Sequence, residues 1–211
     1  MATVTDALAT ALDFHRSGDR DRAEQLYRQI LQQDPNHAEA LHWLGAIAYQ
    51  NGDYDGAISS IQRAIEQNGS QAVFHNTIGM VYRAKGELDS AVRHYRQALA
   101  LQPNNGDIFK NLTHVLHDWF ARNPQEAIAI ATSLAQQFHR ANAHALSESL
   151  YRQILQYDPD RAEAIHGLGL VAFQQGQVDR AIGLYEQAIQ RDRESAIYYN
   201  NLGLAYRSKG Q

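Results

Sequence analysis

The sequence predicts an all-α fold built as a row of repeated helix pairs. Three observations predict it. Good helix formers (Ala, Leu, Gln, Glu and Arg) outnumber Val, Ile and Thr in a 211-residue chain with only four prolines. Apolar residues recur at helical spacing almost throughout, and strand-like alternation is hard to find. Small and aromatic residues return at a step of 34, as Gly18, Gly52 and Gly86, as Ala23, Ala57 and Ala91, and as Tyr27, Ile61 and Tyr95.

The elements follow in order. The first repeat reads Ala11-x-x-Phe14 on one helix and Ala23-x-x-x-Tyr27 on the next, which Asp34-Pro35 ends because proline disfavours α conformation in the residue before it. The second reads Leu41-x-x-Leu44-Gly45, then Ala57-x-x-x-Ile61, with Gly69 in the proline slot. The third reads His75-x-x-Ile78-Gly79-x-x-Tyr82, then Ala91-x-x-x-Tyr95, then Pro103. Residues 106–121 form a fourth first helix, with Phe109, Leu112 and Leu116 on one face. Asn123-Pro124 restarts a helix, with proline near its first position.

The remainder repeats the beginning. Phe14-His15-Arg16 returns as Phe138-His139-Arg140, and Leu-Tyr-Arg-Gln-Ile-Leu-Gln occurs at 26–32 and at 150–156. Tyr82-Arg83-x-Lys85-Gly86 returns as Tyr206-Arg207-x-Lys209-Gly210. Residues 14–86 align without a gap on 138–210, with about half the positions identical, the mark of an internal block duplication. The block holds an odd number of helices, so two lobes are expected, 1–121 and 122–211, with the irregularity of the fold around residues 121–124. Order along the array makes 125–140 a second helix, whereas the duplication makes it a first helix.

The slots have physical reasons. Gly45, Gly79, Gly169 and Gly203 sit inside helices, where glycine costs about 1 kcal/mol relative to alanine. The cost makes sense where a second helix crosses with backbones close. Ala23, Ala57, Ala91 and Ala181 are the matching small residues, and Tyr27, Tyr95, Tyr151 and Tyr185 fill the wedge beside them. Acid pairs such as Asp19 with Asp21 and Asp53 with Asp55 stand where a second helix starts, as caps and partners of its positive end.

Composition and motifs exclude several function classes. A formal net charge of −4 gives no bulk attraction to nucleic acid or anionic lipid, and the tyrosines of Tyr-Arg pairs such as Tyr151-Arg152 occupy packing slots. Without cysteine there is no disulfide, thiolate metal site or cysteine nucleophile. The first residues lack the pattern of a signal peptide, and no run approaches the ~18 apolar residues of a membrane span, so a cytoplasmic address is expected. Phosphate-cradling, G-x-S-x-G and H-E-x-x-H motifs are all missing. His114 and His117 lie one turn apart, followed by Asp118, and offer part of a metal face, with His139 or His144 as further ligands. They read more simply as polar residues on a helix, and neither a metal nor a cofactor is expected.

The conjunction of small, aromatic and proline slots resembles the tetratricopeptide repeat (TPR) family over nearly the whole chain. Gly69 and Arg193 depart from the usual proline, and Ala48 and Ala172 from an aromatic. The resemblance implies a superhelical solenoid whose first helices line an inner groove that holds a peptide or partner domain. The groove residues it implies are Glu39, His42, Trp43 and Tyr49 from the second repeat, Asn76, Thr77 and Arg83 from the third, and Lys110, Asn111 and His114 from the fourth first helix. Asn side chains present a paired donor and acceptor to a peptide backbone, Arg and Lys hold carboxylates, and an aromatic in a groove makes a hot spot. The expected function is a protein–protein interaction scaffold with no catalysis in this segment. The arrays also resemble the N-terminal arms of bacterial O-GlcNAc transferase-like, sulfotransferase-like and methyltransferase-like proteins, which would make this a substrate-recruiting arm of a larger enzyme.

A third expectation is self-assembly. By alignment residues 196–208 are a first helix, and Tyr198, Tyr199, Leu202, Leu204 and Tyr206 do not give it the polar outer face of a terminal cap. A fragment cut inside a repeat is expected, with that helix covered by another copy of the chain.

Overall fold

The computed structural model describes residues 3–210. Among the described residues the chain is twelve α-helices: α1 Val4–Ser17, α2 Arg20–Gln33, α3 Ala38–Gln50, α4 Tyr54–Gln67, α5 Ala72–Lys85, α6 Leu88–Leu101, α7 Gly106–Arg122, α8 Pro124–Arg140, α9 His144–Tyr157, α10 Ala162–Gln174, α11 Val178–Arg191 and α12 Ala196–Ser208. None of them is long and apolar enough to cross a membrane.

The helix ends are where local chemistry places them. Asp19 and Asp53 cap α2 and α4, their carboxylates accepting from the backbone N–H of Arg22 at 3.3 Å and of Gly56 at 3.0 Å. α5 stops at Gly86, whose φ of 85° is left-handed and strains any residue with a Cβ. Its N–H donates to the Arg83 carbonyl at 3.0 Å, and the next N–H to that of Tyr82 at 2.9 Å, which closes the last turn. The end of α8 has Asn142 at φ 58°, in the place that Gly18 holds after α1. Asparagine is a usual substitute in that conformation.

The helices form two compact units, Met1–Val115 and Leu116–Gln211, with the division inside α7. In the N-terminal unit α1 pairs with α2, α3 with α4 and α5 with α6. α2 packs on α3, α4 packs on α5, and α3 touches α5. In the C-terminal unit α8 pairs with α9 and α10 with α11. α9 packs on α10, α11 packs on α12, and α10 touches both α8 and α12. α8 therefore stands as a first helix, the role its sequence correspondence predicts, and not as the second helix that order along the array predicts. The bounds of α9, α10 and α11 are those of α2, α3 and α4 displaced by 124 residues. The same displacement carries the ion pair Lys85–Asp55, at 3.0 Å, onto Lys209–Asp179, at 2.7 Å.

The crossing points are close. A methyl group on Gly79 would meet the Tyr95 ring at 2.8 Å, and one on Gly45 would meet Ile61 at 2.5 Å. Ala23, Ala57, Ala91 and Ala181 are fully buried, and Tyr27, Tyr95, Tyr151 and Tyr185 are nearly so. Gly203 departs from the expectation: nothing lies within 4 Å of a Cβ built there. Its counterpart Gly79 is covered by α6, whereas no described helix follows α12 to cover Gly203. Tyr199 is correspondingly 49% exposed where its counterpart His75 is 6% exposed. The rest of α12 is anchored, with Leu202 and Tyr206 packed against Ala181, Ile182 and Tyr185.

Candidate partner-binding face

The first helices α3 and α5 and the first half of α7 bring part of the expected residue set together within the N-terminal unit. Asn111 Nδ2 donates to Asn76 Oδ1 at 3.0 Å, joining α7 to α5. One turn away, Asn76 Nδ2 lies 3.9 Å from Met80 Sδ. His42 Nε2 lies 2.9 Å from the Thr77 hydroxyl, joining α3 to α5. Both bonds span 35 residues, because each ties a first helix to the next first helix. Glu39, Lys110 and His114 are exposed, and Asn76, Thr77, Arg83 and Asn111 are half-buried.

His42 is a correction. It is 2% exposed, stacked on Phe74 with ring centroids 4.7 Å apart, and it faces the core rather than an open groove. Thr77 Oγ1 donates to the Val73 carbonyl at 2.9 Å, so it receives the His42 bond as an acceptor and fixes the proton on Nε2. Burial pushes the His42 pKa down to about 4, so the ring is neutral near pH 7.

Trp43 and Tyr49 are also packed more than displayed. The Trp43 ring lies between His15 at 4.8 Å and His42 at 5.0 Å, against the cluster around Ala11, Ala23 and Tyr27. Tyr49 is half-buried 6.1 Å from Tyr54. The polar chemistry of this face centres on an ordered Asn pair, with the exposed Lys110 next to Asn111 in the chain.

Among the described residues no group of three or more His, Cys, Asp or Glu is placed to hold a metal. His117 bonds instead to the Tyr157 hydroxyl at 2.9 Å.

A feature missed by the sequence reading lies in the C-terminal unit, a cleft of about 780 Å³. His139, Tyr151, His166, Gly167, Leu170 and Ile197 are among its walls. Its walls come from α8, α10 and α12 together, an arrangement that the pattern of any one helix does not contain.

Comparison with known proteins gives one family. Residues 8–72 and 134–185 match a profile described as "Tetratricopeptide repeat", and residues 79–118 and 171–210 match a second, described as "TPR repeat". No curated protein matches the chain closely enough to add a relative. A Thermobaculum terrenum O-GlcNAc transferase superposes with a TM-score of 0.55 at 27% identity, over 65% of this chain and 28% of that one. The first TPR domain of Spaghetti (RPAP3) bound to an HSP90 peptide superposes with a TM-score of 0.52 at 19% identity, over 55% and 91% of the two chains. A thermophilic TPR protein from Thermus thermophilus gives a TM-score of 0.50 at 16% identity, over 97% and 99%.

Proposed function

This chain belongs to the tetratricopeptide repeat family, and on that premise we propose that it is a protein-binding scaffold that grips an extended peptide along α3, α5 and α7. The observation that carries the reading is the Asn76–Asn111 bond. It holds two amides in register across neighbouring helices, and each amide offers donors and an acceptor of the kind a peptide backbone needs. Lys110 beside the pair supplies an exposed cation for a carboxylate. Peptide binding by a neighbour of the same fold supports the class of ligand. No catalytic constellation enters this reading.

The test is selection of binders from a random peptide library on the intact chain, followed by affinity measurement with Asn111→Ala and Lys110→Glu. Loss of about tenfold or more in affinity in each variant, with unchanged melting, is the expected result. Selected peptides that bind both variants as well as the original chain would place the site elsewhere.

A second reading, a substrate-recruiting arm of a larger transferase, draws support from the O-GlcNAc transferase likeness. A third draws on the exposed face of α12, where Tyr199, Gly203 and Leu204 would dock a second copy.

A further inference from the structure

The duplication provides two versions of one surface, and they differ by a single cation. In the C-terminal unit Glu148 on α9 accepts from two arginines, Arg152 one turn along the same helix at 2.8 Å and Arg180 on α11 at 2.9 Å. The Arg180 guanidinium also donates to Gln177 Oε1 at 2.7 Å. Its bond is the chief cause that holds the Glu148 carboxyl below the usual carboxylate range. A displacement of 124 residues carries Glu148, Arg152, Gln177 and Arg180 onto Glu24, Arg28, Asp53 and Gly56. The N-terminal unit therefore keeps both acceptor positions, now two carboxylates, and lacks the cation that joins them. Glu24 accepts from Arg28 alone, at 2.6 and 3.0 Å. Asp53 uses Oδ1 to cap α4, and its Oδ2 lies over Gly56, where a Cβ would collide with it. No side chain can grow from position 56 without displacing that cap, so a cation at this place has to come from outside the chain.

The place is open. A groove of about 400 Å³ lies between α2 and α4, with Glu24, Asp53, Gly56, Leu44, Ala48 and Ser60 among its walls. Leu44 and Ala48 are half-buried, whereas their counterparts Leu168 and Ala172 are 7% and 1% exposed. Leu184, packed against the cluster that contains Ala172, stands where the first block has Ser60. The charged residues of the groove, Glu24, Arg28 and Asp53, leave one negative charge for an incoming cation to neutralise.

We propose that this groove is a binding site for an arginine side chain of a partner protein, held between Glu24 and Asp53 as Arg180 is held between Glu148 and Gln177. The class of partner follows the protein-binding reading, but the site rests on different residues and on the second helices. The matching place in the other block, where a guanidinium is bound by the equivalent residues, identifies the ligand group. A guanidinium is a planar fork of five N–H donors and can serve two acceptors at once, which a lysine ammonium does less well. The apolar stem of the arginine packs on Leu44 and Ala48 while its charge meets the carboxylates.

The experiment follows the backbone amide signals of the whole chain by NMR with three probes. They are capped Gly-Ser-Arg-Ser-Gly, the same peptide with lysine in place of arginine, and guanidinium chloride. The expected result is a saturable shift of the Gly56 and Ser60 signals with the arginine peptide. Affinity should be about fivefold or more weaker for the lysine peptide, and weaker also for bare guanidinium, which has no stem to pack. Glu24→Gln, Asp53→Asn, which keeps a capping side chain, and Ser60→Leu, which installs the residue of the other block, should each weaken binding by about threefold to tenfold with unchanged melting. Lys110→Glu should leave it unchanged, so failure of this site and failure of the face proposed above are read separately. Absence of a saturable shift overturns the proposal. Equal affinity for the arginine and lysine peptides reduces it to diffuse charge attraction and overturns the guanidinium site. Guanidinium binding as tight as the peptide overturns the side chain as occupant. Binding that survives all three groove variants overturns the location.

Discussion

The His42 imidazole on α3 donates to the Thr77 hydroxyl on α5, which in turn donates to the Val73 carbonyl, each bond 2.9 Å long. Nε2 keeps its proton in either charge state, so what opposes protonation is burial of the charge, which holds the His42 pKa down at about 4. An unfolded histidine titrates near 6.5, so between pH 6.5 and 4 the unfolded state binds the extra proton. The stability contributed by neutral His42 is complete above about pH 6.5 and is lost as the pH falls toward 4. His42 alone is expected to remove roughly 1–2 kcal/mol between pH 7 and pH 5. Urea titrations at the two pH values should show that loss, and His42→Phe should shrink it. An unchanged acid slope in the variant would show that other groups carry the effect.

Gly79 and Gly203 make a matched pair of probes. At Gly79 an added methyl meets the Tyr95 ring at 2.8 Å, and at Gly203 it meets nothing. Gly79→Ala is expected to destabilise by roughly 1–3 kcal/mol through overpacking. Gly203→Ala should stabilise by about 0.5–1 kcal/mol through helix propensity. Melting curves of the two variants should move in opposite directions.

Trp43 is half-buried between two histidine rings. Trp43→Ala is therefore expected to lower stability by roughly 2–4 kcal/mol, measured by urea unfolding at pH 7. A loss below about 0.5 kcal/mol, the range of a surface substitution, would return Trp43 to the role of an open anchor.

Tyr199 is 49% exposed and Leu204 is 38% exposed on α12, beside the uncovered Gly203. Apolar patches of this kind promote association. Light scattering at two concentrations is expected to show mass rising with concentration, and Tyr199→Ser with Leu204→Gln should abolish the rise. A monomer at both concentrations would refute the contact.

Much of the fold was legible because the repeat encodes it in residue size. Gly45, Gly79 and Gly169 mark crossings since only glycine fits against Ile61, Tyr95 and Tyr185. The first-helix role of α8 could be read from Phe138-His139-Arg140 once the gapless correspondence was given more weight than order along the array. The face was less legible. His42 lies at a position that helical periodicity alone leaves open. Its burial comes from the neighbouring first helix, through Phe74 and Thr77 on α5, and a pattern read one helix at a time does not contain that neighbour. Trp43 keeps part of its surface exposed, but its contact with His15 comes from α1 and is likewise absent from a pattern read one helix at a time. The cleft was not legible because its walls come from α8, α10 and α12 together, and no single helix's pattern contains all three.

The pairing of helices within each unit also bears on how the chain reaches its fold. Every described helix contact joins elements one or two places apart in the chain, so each contact closes only a short loop and little chain entropy is lost before it forms. Low contact order of this kind goes with fast folding. It also lets the molecule come apart in steps, because a helix held from one side can open while its neighbours stay closed. α1, paired with α2 alone, and α12, held by α11 and α10, are therefore expected to exchange their amide protons before the helices packed on both sides.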